Sequence, residues 1–417
     1  MRDYLCQTIV VAAVGLTSCG VLRADSSMVN VRDLGARGDG RSDDTAQFLQ
    51  AIGRAKARQA GVFVPRGRYL LSKTVPLEGI ALTGLAVGAW PADVDTLPSI
   101  IPTHTDGPAF QLLAGGAISG IDITYQWPSE PEEGPAAVVI SGIGTCIRNV
   151  RIRYAWDGII ADGEQNVGRA NIENVFLVSI RNVGVRMTGT LDVPRLANVE
   201  VWNAGPVPRG LAQGIGFHLG HNDLIRLTDC FVFGMHHGFL LEERIAGCKV
   251  TGPTWGVMNG CATDFCVVGI EIQGGHTLSV SGGTFWSHEE SLIVEGTGGR
   301  IRLAGCELKS NGAPAVVVRG GDHTVLSGCT LLRTMEGLAI PAVVAEAGRL
   351  VIGAGYIASR GEPAVIIAEG VRSAAIHGNI IATDALPAVR VSGQVNEQVA
   401  LAGNVIETPT APPTTQP

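Results

Sequence analysis

One short pattern recurs along nearly the whole chain and restricts the folds open to it. It reads apolar residue, any residue, then Gly, Asn or Asp, followed by an apolar-alternating stretch. The third position falls at Gly84, Gly120, Asn149, Asn174, Asn198, Asp229, Gly252, Gly282, Gly305, Gly328, Gly353, Gly378 and Gly403. From Gly282 the intervals are 23, 23, 25, 25 and 25 residues. About ten residues after most markers comes a small residue and then an apolar one, as in Gly158-Ile159, Gly184-Val185, Gly238-Phe239, Ser291-Leu292 and Ala364-Val365. Two strand signals locked at this period mean stacked coils rather than separate domains. The expectation is an all-β, single-stranded parallel β-helix, a solenoid with one strand set per coil.

Three residues after the markers sit Ile123, Ile152, Leu177, Val201, Val232, Trp255, Phe285, Leu308, Leu331, Ile381 and Ile406. Stacked at ~4.8 Å per coil they form one interior column, and thirteen markers give a rod of roughly 60 Å. Asn149, Asn174 and Asn198 are expected to stack as a turn ladder, each amide bonding the next. Composition agrees. The chain has 56 Gly, 46% hydrophobic and only 17% charged residues, which suits many tight turns and short strands and excludes a helical bundle.

The ends depart from the period. Residues 1–27 read as a targeting segment: an apolar run from Ile9 to Leu16 behind Arg2, too short to span a bilayer. Leu16-Thr17-Ser18-Cys19 resembles a bacterial lipobox, which would lipidate Cys19, while Leu22-Arg23-Ala24 offers a rival cleavage site. The expected location is therefore outside the cytoplasm, lipid-anchored in a bacterial envelope or secreted. Residues 28–407 form the β-helix, with an N-terminal cap over 28–80. There Ser42-Asp43-Asp44-Thr45 offers helix-capping and acidic first-turn groups. Phe48, Leu49, Ile52 and Ala55 share one helical face, giving a short capping helix. Residues 408–417 form a Pro/Thr tail expected to be disordered.

Net charge is −7 with four Lys, so no basic nucleic-acid footprint is present. Seven of the nine Cys remain beyond residue 27, an odd number without zinc-ligand spacing. Cys230, Cys306 and Cys329, each one after a marker, read as core thiols. No acidic cluster resembles a calcium site, so no metal or cofactor is expected. Any membrane contact would be the lipid anchor, and the pattern suits a monomer or a trimer.

Val29-Asn30-Val31-Arg32-Asp33-Leu34-Gly35-Ala36-Arg37-Gly38-Asp39-Gly40-Arg41-Ser42-Asp43-Asp44-Thr45, followed by Val64-Pro65-Arg66-Gly67-Arg68-Tyr69, resembles the N-terminal signature of the rhamnogalacturonase/epimerase-like pectate lyase superfamily. The resemblance implies a right-handed β-helix and a carbohydrate-active, often exported protein. It does not fix the reaction. Polygalacturonase-type members carry Asn-x-Asp, Asp-Asp, Gly-His-Gly and Arg-x-Lys around one cleft, and this chain departs from all four. Asp43-Asp44 lies in the signature and Arg54-Ala55-Lys56 in the expected cap helix. Asp157 stands alone, and Met235-His236-His237-Gly238 only half-matches.

The column just before the small-apolar signal holds Asp157, Asn182, His236-His237 and His288-Glu289-Glu290. Four residues after the markers come Trp202, Phe233 and Trp286, expected to face outward and stack on sugar rings. Two chemistries suit this set. Elimination from a uronic acid needs a base, for which His236 or His237 qualifies. Hydrolysis needs two carboxylates, for which Asp264 with Glu289 or Glu290 qualifies. Asp157 joins the aromatics as a candidate substrate contact. Each of these residues also fits a plain turn or loop role, so a non-catalytic carbohydrate-binding or structural β-helix is the rival reading.

Overall fold

The computed structural model describes residues 28–85, 98–161, 166–203, 208–333, 338–393 and 398–408. The segment 1–27 with Cys19, and Pro409 to Pro417 of the tail, lie outside the described residues. The rest is a parallel β-solenoid of about 14 turns. Its ladders run parallel from each coil to the next, as in Cys146–Arg153 on Asn171–Val178 and that strand on Arg195–Trp202. Among the described residues no helix is long and apolar enough to cross a bilayer.

Each coil has three faces. The first precedes the marker residue, the second follows it, and the third begins at the small-apolar signal. The marker makes the bend. Asn149, Asn174, Asn198 and Asp229 hold φ of 50–53°, and Gly282, Gly305 and Gly328 hold 60–61°. Only Gly, Asn and Asp adopt this left-handed geometry readily, which is why the sequence repeats those three types. The Asn ladder is present: Asn174 Nδ2 donates to Asn149 Oδ1 at 2.6 Å, and Asn198 Nδ2 to Asn174 Oδ1 at 3.0 Å. At Gly260 no side chain fits, because an Asp229 carboxylate oxygen lies 2.4 Å from where a Cβ would stand.

Two markers shift. Gly252 does not make the bend of its coil. Gly260 does, at φ 63°, and Thr263 fills the interior place between Val232 and Phe285. Trp255, expected inside, is therefore on the first face and 51% exposed. Ala354 rather than Gly353 makes the next irregular bend, at φ 55°, and Ile357 joins the column beside Leu331. Ile406 keeps its register with Ile381, but it sits in the last described coil and is half exposed. The other interior residues of the column are buried, each contributing about 1.5–3 kcal/mol by leaving water.

The cap is helix α1 (Thr45–Arg58), which buries Thr45, Phe48, Ala51, Ile52 and Ala55. Leu49 is not on that face and is 40% exposed. Phe48 meets the buried ring of Tyr69 edge-on, centroids 5.4 Å apart. The capping groups also differ from expectation. Asp43 Oδ1 accepts from the Thr45 N–H at 3.0 Å, while the Asp44 carboxylate turns back to the Arg37 and Gly38 N–H groups. No acid lies in the first turn. Gly38 (φ 57°) is required, since a Cβ there would stand 2.7 Å from the Tyr69 ring. The cysteines among the described residues are free, and Cys230, Cys306 and Cys329 are buried.

Candidate active site

Most of the residues singled out by sequence (Phe233, His236, His237, Asp264, Trp286, Glu289 and Glu290) gather near the edge between the second and third faces across three successive coils, with Trp202 one coil earlier. That edge is made by three turns: Gly234–His236 after strand Phe231–Phe233, Val267 after strand Ala262–Cys266, and His288–Ser291 after strand Thr284–Ser287. His237 opens strand His237–Glu242 and pairs in register with Val268. The next rung of that column falls at Glu290, because Ile270 pairs with Leu292. His237 and Glu290 are thus two rungs apart, about 10 Å.

His237 does not reach Glu290. Its Nε2 meets Glu271 Oε2 at 2.8 Å, on the adjoining coil, with both side chains mostly buried. Gln273 Nε2 donates to the other Glu271 oxygen at 2.5 Å. The hydrogen bond from His237 holds the Glu271 carboxyl below its ordinary range. His236 Nδ1 lies 3.1 Å from His237 Nδ1. Burial, and then the neighbouring His237, push the His236 imidazole below its usual value, so it is neutral at pH 7. A second pair repeats this arrangement one coil earlier: His218 Nε2 meets Glu242 Oε2 at 2.5 Å, and burial lowers the His218 imidazole.

On the second face Trp202, Phe233 and Asp264 are in register. The coil of Asp264 carries an extra residue. The pairing shifts between Thr263 and Cys266, and Phe265 takes φ 54°. Phe265 therefore swings out beside the aromatic row, 5.3 Å from Phe233 and 6.0 Å from Trp286, and is 48% exposed. Trp202 and Phe233 stack almost parallel, 4.5 Å apart. This is near the rung spacing, so their faces cover one another along the axis. Lys309 Nζ sits 3.9 Å over Trp286. One face each of Trp202 and Phe233 is thus taken by their mutual stack and one face of Trp286 by Lys309, while Phe265, with His288 edge-on at 5.5 Å, is the most exposed of the four rings.

Asp264 precedes Phe265 in the chain, with Oδ1 buried and without a hydrogen-bond partner among the described residues. Burial raises its carboxyl, against the pull of Lys309 and His288. Burial also raises Glu290, with Glu289 adding to it, while Glu289 itself is exposed. Asp157 stands apart. It is three rungs from His237, and its Oδ1 accepts from Asn182 Nδ2 at 2.8 Å and the Val183 N–H at 3.0 Å, fixing the next turn. The open depression between Thr105–Pro108 and Glu133–Ala136, about 470 Å³, lies four rungs from His237 on the same edge. No group of three or more His, Cys, Asp or Glu among the described residues is placed to hold a metal ion.

Sequence reasoning missed Glu271, Phe265, His218 and Lys309. Glu271, His218 and Lys309 sit in strand bodies, not in the turn column that was scanned. They were findable by following the outward parity of each strand. Phe265 required noticing that its coil holds one residue too many.

A family model described as Rhamnogalacturonase A/epimerase, pectate lyase-like matches residues 28–93, the cap and first coil. No curated protein matches the chain. Among solved structures, the Azotobacter vinelandii mannuronan C-5 epimerase AlgE6 A-module is 16% identical at TM-score 0.50, covering 91% of this chain and 100% of that one. The Dettilon tailspike protein is 10% identical at TM-score 0.51, covering 90% and 68%. The catalytic domain of a GH87 alpha-1,3-glucanase is 10% identical at TM-score 0.50, covering 91% and 69%. These likenesses show the fold, a right-handed parallel β-helix, and the family-model match marks a pectate lyase-like segment over residues 28–93.

Proposed function

We propose that the protein cleaves an acidic polysaccharide by elimination, at the edge built by His236, His237, Glu271 and the Phe265 platform. The observation that carries this reading is a neutral imidazole, His236, held 3.1 Å from a second imidazole that is itself paired with a carboxylate. Elimination from a uronic acid begins with removal of the C5 proton. His236 accepts that proton. The electron pair forms the C4–C5 double bond, and the C4–O bond breaks toward the leaving sugar. The His237–Glu271 pair holds His236 in place. Lys309 and His288, the groups acting on Asp264 beyond the turn, favour a substrate carboxylate there. Phe265 carries a sugar ring through its apolar C–H face.

The likeness to a mannuronan C-5 epimerase supports this reading, because epimerisation and elimination share the C5 proton transfer. A second reading has its own observation: Asp264 and Glu290 are both held toward the protonated acid, as a glycosidase acid requires, and a GH87 alpha-1,3-glucanase shares the fold. The test is to incubate residues 28–407 with acidic and neutral polysaccharides, following ultraviolet absorbance of unsaturated uronates and reducing ends together. Elimination gives both signals. Hydrolysis gives reducing ends alone. Binding without either signal returns the protein to a carbohydrate-binding or structural role.

A further inference from the structure

The first face, around the solenoid from the candidate site, carries a row that the catalytic reading does not use. Trp255 pairs with Thr277, Thr277 with Arg300, and Arg300 with His323. Thr324 pairs with Leu350, so the next rung is Arg349, and Arg349 pairs with Ser373 beside Arg372. Trp255, Arg300 and Arg349 are thus spaced two rungs apart, about 10 Å each. The side chains of Arg300, Arg349 and Arg372 are 59, 46 and 51% exposed.

One carboxylate serves the whole group. Asp322 takes Arg349 Nη1 at 2.6 Å, Arg300 Nε at 3.7 Å, Arg372 Nη2 at 3.9 Å and His323 Nδ1 at 3.8 Å. Three guanidiniums against one carboxylate leave a surplus of two positive charges on a chain whose net charge is −7. Arg302 projects from the same strand face as Arg300, since the strand Arg300–Ala304 alternates exposed and buried, and it adds to the surplus. Like charges held this close are unfavourable unless an anion completes them. Arginine forks are suited to carboxylates and sulfates.

We infer that the row Trp255–Arg300–Arg349–Arg372 is a second, non-catalytic binding track for an anionic polysaccharide. A rung is close to the length of one pyranose unit, so a chain laid along the axis meets Trp255, then Arg300 and Arg349 two units apart, and Arg372 on the next unit. Trp255, exposed at the start of the row, stacks on a ring. A polysaccharide fits better than a nucleic acid because the basic surface is one narrow row without the broad footprint a phosphate backbone recruits.

The test uses residues 28–407, fluorescent dextran sulfate and polygalacturonate as probes, and single-stranded DNA and neutral dextran as comparators, at low and high salt. Arg300→Gln with Arg349→Gln is expected to weaken dextran sulfate binding about tenfold and flatten its salt dependence. Asp322→Asn is expected to tighten it. The arginines are exposed and Asp322 is half-buried, so unchanged melting temperatures confirm folding of both variants. The production of unsaturated ends from short substrates, if elimination is established, is expected to be unaffected, which separates this track from the candidate active site. Unaltered binding in the double variant, equal binding of neutral dextran, tighter binding of DNA, or no binding of either probe would each overturn the inference.

Discussion

The coils from Gly282 onward and the coils between Asn198 and Gly282 have the same backbone plan and different content. In the later set the bends fall at Gly282, Gly305 and Gly328, 23 residues apart, all near φ 60°. In the earlier set Asn198 to Asp229 and Asp229 to Gly260 each span 31 residues, and the next interval contains the extra Phe265. The regular coils hold short turns and paired surface charges, such as Arg319 with Glu295 and Glu346. The irregular coils hold both His–Glu pairs, the rings of Trp202, Phe233 and Phe265 and a buried Asp264 oxygen without a partner among the described residues, and Trp286 and Glu290 follow on the first regular coil. The stacking period supplies stability. Departures from it re-aim side chains, and this is where chemistry gathers.

Five substitutions and a pH profile can break or sharpen that contrast. The largest expected effect is on activity: His236→Ala should lower kcat/KM on an acidic polysaccharide by roughly 10²–10⁴-fold, the usual contribution of a general base, with little change in melting temperature. A comparable loss of stability would instead make His236 a structural turn residue. Next come two phenylalanines one coil apart. Phe285→Ala, in the buried column, should cost about 3–5 kcal/mol in denaturant unfolding. Phe265→Ala, half exposed, should cost under about 0.5 kcal/mol while weakening polysaccharide binding. Equal costs would erase the distinction between packing and platform.

The pH profile tests the imidazole directly. Because His236 is pushed below its ordinary value, it is the free base above its own lowered pKa. The acid limb of kcat/KM should therefore lie below the unperturbed imidazole value of about 6.5. Removing the Glu271 charge, which pulls His236 up, should move that limb lower still. A limb above 6.5, or one that rises in Glu271→Gln, would contradict the assignment. The smallest effect belongs to the one non-glycine bend described after Gly282. Ala354→Gly relieves a left-handed bend at φ 55° and should stabilise by up to about 1 kcal/mol in thermal unfolding.

The solenoid was legible because its cause is periodic. A left-handed bend every coil demands Gly, Asn or Asp, and these types stand out against alternating Val, Ile and Leu. The amide ladder Asn149–Asn174–Asn198 followed from the same reasoning. The errors came where one residue type serves two purposes. Gly252 has the right neighbours but makes another turn, and accepting it as a bend sent Trp255 inside. The site was partly legible. His236, His237, Asp264, Glu290 and the aromatic row do share an edge. The partner of His237 was not foreseen, because Glu271 contacts it from three residues along the adjoining coil, a diagonal that sequence spacing does not display. Nor was it visible that Trp202 and Phe233 would cover each other's faces, since a rung spacing near 4.8 Å suits ring stacking along the axis as well as any ligand does.

The most direct measurement is a kinetic isotope effect with a polyuronate deuterated at C5. If His236 removes that proton in the bond-breaking step, the deuterated polymer should react more slowly, with ultraviolet absorbance and reducing ends slowed together. Equal rates from both polymers, with reducing ends appearing and no absorbance, would contradict elimination and shift the chemistry to Asp264 and Glu290.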